Sequence, residues 1–151
     1  MRGATGSRNL SRMLPLDRPR TQRVHLTAVL YVDDEPDIRE IAAMALGLID
    51  GLAVSTCASG EQALKAMSIS KPQLVLLDVM MPTMDGPATL CSMRKDPSLK
   101  AIPVIFVTAK AMPKEIAQFR DLGAAGVIAK PFDPMKLGEQ VLALWEGLPN
   151  H

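Results

Sequence analysis

The chain has 151 residues, of which 48% are hydrophobic and 22% are charged, and its formal net charge is +1 at pH 7. This length and composition predict roughly one domain with a buried core. No apolar run approaches the roughly 20 residues of a membrane span, and the N-terminus lacks the apolar centre of a secretory signal, so we expect a cytoplasmic protein without a membrane partner.

Residues 1–26 differ in composition from the rest of the chain. They contain six arginines and one aspartate, which gives this segment a charge of +5 and leaves −4 for the remainder. Their glycine, serine and proline, without helical or strand periodicity, favour a disordered extension. Because no aromatic residues lie among the arginines, an inert extension is favoured over a nucleic-acid-binding arm or an organellar transit segment. We therefore predict a folded domain at residues 27–147 and a short tail at 148–151.

From residue 27 onwards, strand-like and helix-like segments alternate. The apolar strand "TAVLYVDD" ends on Asp33 and Asp34, and Pro36 suits the first turn of the helix that follows. "LAVSTC" has the polar interruptions of an edge strand, and Ser59 can cap the next helix. Three more strand–helix pairs follow, namely "QLVLLD" with "GPATLCSMRK", "IPVIFVT" with "PKEIAQFRDLG", and "GVIAK" with a helix that starts near Pro134.

This alternation predicts a doubly wound α/β domain, a (βα)5 flavodoxin-like three-layer sandwich with parallel strand order 2-1-3-4-5. Polar residues end four of the five strands. They are Asp33 and Asp34 on the first, Asp78 on the third, Thr108 on the fourth and Lys130 on the fifth. Since the first and third strands would be neighbours, we expect the three carboxylates to converge in one pocket.

Three carboxylates in one pocket repel one another unless a cation neutralises them. Oxygen ligands without histidine or cysteine favour Mg²⁺ over Zn²⁺, whereas the competing interpretation is a rim of solvated acids. An aspartate, a hydroxyl, an ammonium group and Mg²⁺ are together the groups that stabilise a phosphoryl group in transfer. On this interpretation Asp78 is the nucleophile.

Four motifs carry a resemblance to a known family. They are "VDDEP" at 32–36, "LLDVMMPTMDG" at 76–86, "VIFVTAK" at 104–110 and "GAAGVIAKPFD" at 123–133. In this order and spacing they resemble the response-regulator receiver domain of two-component signalling. The resemblance covers residues from about 27 to 147, which is nearly all of the chain except the arginine-rich segment.

The resemblance implies a phosphoacceptor and a metal site. Asp78 would accept a phosphoryl group from a phosphohistidine on a histidine kinase or a histidine phosphotransfer protein. Asp34 would bind Mg²⁺ directly, Asp33 would assist partly through water, and the backbone carbonyl of Met80 would complete the protein ligands.

The resemblance also implies a switch, from which this sequence departs at one position. Thr108 is similar to the hydroxyl that moves to the phosphoryl group, and Lys130 to the ammonium group that pairs with it, with a cis bond between Lys130 and Pro131. Three residues before the lysine, where the family usually has tyrosine or phenylalanine, this chain has Val127. A ring that rotates behind Thr108 therefore cannot be the output signal here.

The sequence leaves the output open. Because only "GLPNH" follows the fifth predicted helix, we expect a stand-alone receiver that signals to an unidentified protein through the face of the fourth helix, fifth strand and fifth helix. A haloacid-dehalogenase-type phosphohydrolase is disfavoured, since Met80 stands where a second acid is needed, and no glycine-rich nucleotide motif follows the first strand. A phosphorylation-independent interaction module stays open because of Val127. Core positions are predicted for Cys57, Cys91, Met44, Met67 and Trp145.

Overall fold

The structure, a computed structural model, describes residues 24–149 and confirms the predicted fold class. Five parallel strands form one sheet in the order β2-β1-β3-β4-β5. The strands are β1 Ala28–Val32, β2 Ala53–Cys57, β3 Leu74–Asp78, β4 Val104–Thr108 and β5 Gly126–Ala129. The helices are α1 Pro36–Leu46, α2 Gly60–Ile69, α3 Gly86–Lys95, α4 Pro113–Asp121 and α5 Pro134–Glu146.

Local sequence signals explain where these elements begin. Every residue of β3 and β4 is buried, as the near-continuous apolar runs of central parallel strands require, whereas β2 at the edge is partly exposed. Proline lies in the first turn of α1, where its missing N–H needs no partner. The side chains of Ser59, Asp85 and Asp133 accept hydrogen bonds from backbone N–H groups and so cap α2, α3 and α5.

The core consists of two apolar clusters, one on each face of the sheet. Tyr31 and Leu76 belong to the cluster that α1 and α5 cover, and Phe106 and Leu77 belong to the cluster on the other face. Leu26 is also buried in the first cluster, so the chain enters the core before β1 begins. Within residues 24–149, no helix has both the length and the apolar character needed to cross a membrane.

Several predicted core positions are wrong. Met44 is 68% exposed, because α1 turns the smaller residues Ala42 and Ala45 towards the sheet instead. Ile41, which helical spacing assigns to the apolar face of α1, is also 40% exposed. Cys91 is exposed and Cys57 is only partly buried, although both are free thiols as expected. Met67 and Trp145 are buried as predicted, and the Trp145 indole N–H donates to the carbonyl oxygen of Val24 at 3.0 Å.

Gly86, the first residue of α3, packs directly behind the end of β3. A Cβ atom at this position would lie 2.7 Å from the carbonyl oxygen of Asp78 and 2.8 Å from Cα of Val79. Both neighbours are backbone atoms that cannot move without displacing the strand end. The glycine in "MDG" therefore permits the close approach of α3 that fixes the position of Asp78.

Substitution of Gly86 tests this close approach. We expect Gly86→Ala to lower the free energy of unfolding by about 2–3 kcal/mol in urea denaturation, because the methyl group overlaps backbone atoms. Gly138→Ala is the matched control, since its Cβ would meet only the flexible side chain of Ile49 at 3.3 Å. This control should stay within about 1 kcal/mol of the parent or be more stable, because alanine favours a helix interior. Equal effects of the two substitutions would contradict the account.

Candidate functional site

Two buried aspartates lie side by side at the carboxyl edge of the sheet. Asp33 follows β1 directly and Asp78 ends β3, and the register pairs Val32 with Leu77, one residue earlier on each strand. Asp33 is 0% exposed and Asp78 is 3% exposed. The neighbouring positions of β1 and β3 thus bring two negative charges together in a site with little access to water.

Lys130 supplies the positive charge between these aspartates. Its backbone N–H donates to the carbonyl oxygen of Thr108 at 2.8 Å, which places the residue just beyond β5 at the same edge. Its Nζ lies 2.9 Å from Asp33 Oδ2 and 3.4 Å from Asp78 Oδ1, and Glu35 Oε1 is 3.7 Å away. The ammonium group therefore bridges the two buried carboxylates.

Asp33 is held by further contacts from β1 and from the start of α1. The Tyr31 hydroxyl donates to Asp33 Oδ2 at 3.0 Å, and the Glu35 backbone N–H donates to Asp33 Oδ1 at 3.0 Å. Arg39 Nη1 donates to the Asp33 carbonyl oxygen at 2.8 Å. Both the backbone and the side chain of Asp33 are thus fixed from several directions.

The electrostatics of the site reflect burial of like charges. Burial, followed by the charge of Asp33, raises the pKa of Asp78 to about 6, although Lys130 and the Met80 N–H act in the opposite direction. Burial alone would lower the pKa of Lys130, but its hydrogen bonds and attraction to Asp33 and Asp78 raise that pKa overall. Burial, followed by the charge of Asp33, also raises the pKa of Tyr31, so its phenol stays protonated.

The site contains an acidic group that could hold a metal ion. Among the residues that the structure describes, Asp33, Glu35 and Asp78 each offer a carboxylate oxygen, and these oxygens lie within 4.8 Å of one another. Hard oxygen ligands of this kind suit Mg²⁺. Asp34, which the resemblance predicts as a direct ligand, is not in this group, so its role stays a prediction.

The other predicted site residues lie at the same edge. Met80 is 66% exposed, and its backbone N–H donates to Asp78 Oδ1 at 3.3 Å. Thr108 is buried at the end of β4, where its hydroxyl oxygen accepts the Lys110 backbone N–H at 3.0 Å. The structure thus brings Asp33, Asp78, Thr108, Lys130 and the Met80 backbone to one place, while the ligand roles of Asp34 and Met80 stay predictions.

Sequence reasoning missed two contributors to the site. Glu35 joins the acidic group, although its acidic side chain at the start of a helix predicts only a favourable interaction with the helix N-terminus. Tyr31 was treated as part of an apolar strand, although it lies two residues before Asp33 and therefore on the same side of the strand. That alternation was the signal that could have identified the phenol as a contact of the carboxylate.

At the position where the resemblance leads us to expect an aromatic residue, the structure has a small side chain beside an aromatic pair. Val127 is the register partner of Phe106 and packs against the second core cluster. Phe106 meets Phe119 of α4 edge to face, with ring centroids 5.1 Å apart and an interplanar angle of 78°. The aromatic contact with α4 thus comes from β4.

Comparison with known proteins identifies the family. Residues 29–142 match the response regulator receiver domain, and the chain therefore belongs to the response-regulator receiver family of two-component signalling. It is similar to the chemotaxis response regulator CheY4 of Vibrio cholerae, with a TM-score of 0.73 and 28% identity over 80% of this chain and 99% of that one. A receiver domain from Methanoculleus marisnigri is 36% identical, with a TM-score of 0.64 over 78% of this chain and 94% of that one.

Curated relatives extend the comparison. The probable transcriptional regulator ycf27 of Cyanophora paradoxa is 39% identical over 122 residues, which are 81% of this chain and 49% of the relative. The response regulator Rre1 of Synechocystis is 34% identical over 110 residues, which are 73% of this chain and 48% of the relative. The chain thus spans about half the length of these curated relatives.

The raised pKa of Asp78 leads to a pH-dependent stability difference. The ordinary value is 3.8 and the folded value is about 6, so the folded state holds this proton more tightly than the unfolded chain does. Folding stability should therefore fall as the pH rises through this window. In metal-free buffer at neutral pH, we expect Asp78→Asn to raise the free energy of unfolding by about 2 kcal/mol, because the buried charge is gone.

Urea denaturation of parent and variant across the pH range measures this difference. It should shrink as the pH falls from above the folded pKa of Asp78 to below the ordinary value, where the parent carboxyl group is neutral too. Asp121→Asn, at an exposed aspartate at the end of α4, controls for loss of a surface charge. A parent at least as stable as Asp78→Asn near neutral pH would refute the assignment of a destabilising buried charge.

Proposed function

We propose that this receiver domain takes a phosphoryl group from a phosphohistidine onto Asp78, with Mg²⁺ as its cofactor. The donor would be a histidine kinase or a histidine phosphotransfer protein, acting in the cytoplasm. The observation that carries the proposal is the buried Asp33–Lys130–Asp78 arrangement at the carboxyl edge of the sheet. It combines a nucleophile, an ammonium group and a second carboxylate that could hold Mg²⁺, a set of groups that suits phosphoryl transfer.

The proposed step is a displacement at phosphorus. An oxygen of the Asp78 carboxylate forms a bond to phosphorus while the bond between phosphorus and the imidazole nitrogen breaks. The imidazole leaves with the electron pair of that bond, and the product is an aspartyl phosphate. Lys130 would donate a hydrogen bond to the transferred group and the Thr108 hydroxyl would bind another of its oxygens, which stabilises the developing negative charge.

The metal has a defined place in this proposal. When bound, Mg²⁺ would neutralise the carboxylates and the phosphoryl oxygens and so reduce repulsion between nucleophile and donor. The acidic group of Asp33, Glu35 and Asp78 could hold it, and the resemblance adds Asp34 and the carbonyl of Met80 to the ligands.

An apolar surface beside the site suits a protein donor. A pocket of about 350 Å³ opens next to the Lys130 side chain, between the start of α1 and the loop that joins β5 to α5. Ile41 and, farther along, the largely exposed Met44 and Leu48 continue the apolar surface on α1 and its C-terminal turn. Such a surface could bind the protein that presents a phosphohistidine. The pocket is lined by Glu35, Ile38, Ile41, Ala109, Lys130, Pro131, Phe132 and Pro134.

The output would be a change in binding to another protein. No residue of α4 is fully buried, so this helix is held to the domain by partly buried contacts such as Phe119 on Phe106. Phosphorylation of Asp78 adds about −1.5 to −2 charges at the end of β3, next to β4, and could shift the population of α4 positions. The second candidate, a phosphorylation-independent interaction module, is supported by Val127 in place of the usual aromatic residue.

The first experiment is phosphorylation of the full chain. Incubation with acetyl phosphate and Mg²⁺ should give an aspartyl phosphate that is stable in acid and labile to base and hydroxylamine. Asp78→Ala should remain unmodified, whereas the exposed control Asp121→Asn should be modified like the parent. Intact-mass spectrometry with and without hydroxylamine measures the outcome. An unmodified parent would favour the phosphorylation-independent module, and equal modification of Asp78→Ala would exclude Asp78 as the acceptor.

A second experiment separates Lys130 from the metal site. We expect Lys130→Ala to lower the rate of phosphorylation by about 10²-fold or more, because one preorganised donor to the transferred group is lost. Mg²⁺ binding, measured by calorimetry, should stay intact or become tighter since a competing cation has been removed. Lys100→Ala, at an exposed lysine far along the chain from the site, should change neither quantity. Loss of folding in Lys130→Ala would count against a role confined to the site.

A further inference from the structure

Tyr31 makes a polar contact that packing alone does not require. Its side chain is fully buried in the core cluster beneath α1 and α5. Its hydroxyl donates to Asp33 Oδ2 at 3.0 Å, and it is the chain's single tyrosine. A phenylalanine would fill the same space without offering a donor to the carboxylate.

The contacts of Asp33 show what the phenol adds. Oδ2 accepts hydrogen bonds from the Tyr31 hydroxyl and from Lys130 Nζ, while Oδ1 accepts the Glu35 backbone N–H. Since each carboxylate oxygen has about two acceptor positions, Oδ2 is fully used and Oδ1 has one position left. The free position of Asp33, for a metal ion or for a metal-bound water, is therefore on Oδ1.

The two donors on Oδ2 differ in how far they can move. The ammonium group of Lys130 is at the end of a flexible side chain, and its Nζ is already 3.4 Å from Asp78 Oδ1. A phosphoryl group on Asp78 would attract this ammonium group away from Asp33. This step rests on the proposed function. The Tyr31 ring is held in the core and cannot follow. Its hydroxyl would then be the donor that remains on Oδ2.

We infer that Tyr31 is a positioning residue, whose buried hydroxyl holds the Asp33 carboxylate in its metal-binding orientation while Lys130 turns to the phosphoryl group. The competing explanation is a core tyrosine whose hydroxyl only satisfies its own hydrogen bond. The two explanations predict different effects when the hydroxyl is removed. A packing role affects stability, whereas a positioning role affects metal affinity and does so through Asp33.

The first test is Tyr31→Phe, with Mg²⁺ affinity measured by calorimetry on the full chain without a phosphodonor. We expect about tenfold weaker binding, at the lower end of the effect of losing an outer hydrogen bond to a metal ligand. Thr89→Val is the matched control because Thr89 is fully buried and its hydroxyl donates only to the Asp85 carbonyl oxygen in α3. It should leave Mg²⁺ affinity within about twofold of the parent, as a change without contact to Asp33 should.

A double-mutant cycle then asks whether Tyr31 acts through Asp33. In the Asp33→Asn background, Tyr31→Phe should change Mg²⁺ affinity by less than about twofold, because the carboxylate that it orients is gone. An equal loss in both backgrounds would overturn the inference. So would a Tyr31→Phe protein that is less stable but binds Mg²⁺ like the parent.

A spectroscopic test keeps the phenol hydroxyl of Tyr31 in place. Because the chain has one tyrosine, growth with 3-fluorotyrosine labels Tyr31 alone. Its ¹⁹F resonance should move when Mg²⁺ is added and move again with beryllofluoride, and Asp33→Asn should abolish the first movement. A ¹⁹F resonance whose chemical shift does not change when Mg²⁺ is added would overturn the inference. A parent that shows the Mg²⁺ effects but accepts no phosphoryl group would contradict the proposed function instead.

Discussion

The ion bridge from Lys130 to Asp33 and Asp78 is the interaction on which the site depends. Two carboxylates with almost no exposure to water share one ammonium group at 2.9 and 3.4 Å. Buried charges are costly unless they are paired, and here one positive charge faces two negative ones. The site therefore keeps a negative excess that favours a divalent cation. With such a cation bound, the negative charge of Asp33, Glu35 and Asp78 is neutralised by the cation and Lys130 together, which lowers the repulsion of an incoming phosphoryl group.

The sheet explains why this costly arrangement forms. Register places the ends of β1 and β3 side by side, and Lys130 arrives from β5 across Thr108 on β4. Close packing of Gly86 behind the end of β3 leaves the Asp78 backbone no room to relax. Destabilisation of the metal-free site is offset elsewhere, by the two apolar clusters that cover the faces of the sheet.

The sequence predicted the architecture well because its signals are local. Apolar runs such as "QLVLLD", prolines in first turns and the Ser59 cap determine the elements, and the strand-order rule then brings Asp33 and Asp78 together. Side-chain geometry was less predictable. Helical spacing indicates that Ala42 and Ala45 lie on the inward face of α1, and by the same spacing Met44, two residues after Ala42, lies on another side, so its assignment to the core was wrong. Spacing could not show which acids approach Asp78, because that depends on backbone direction after β1.

The central claim is that Lys130 exchanges Asp33 for a phosphoryl group on Asp78 while Tyr31 keeps Asp33 in place. A crystal structure of the chain with Mg²⁺ and beryllofluoride tests it most directly. Fluoroberyllate should lie on Asp78 with Lys130 Nζ and the Thr108 hydroxyl in contact with its fluorine atoms, and the Tyr31 hydroxyl should still donate to Asp33 Oδ2. Fluoroberyllate elsewhere, or Lys130 still bound to Asp33 and turned from the adduct, would contradict it.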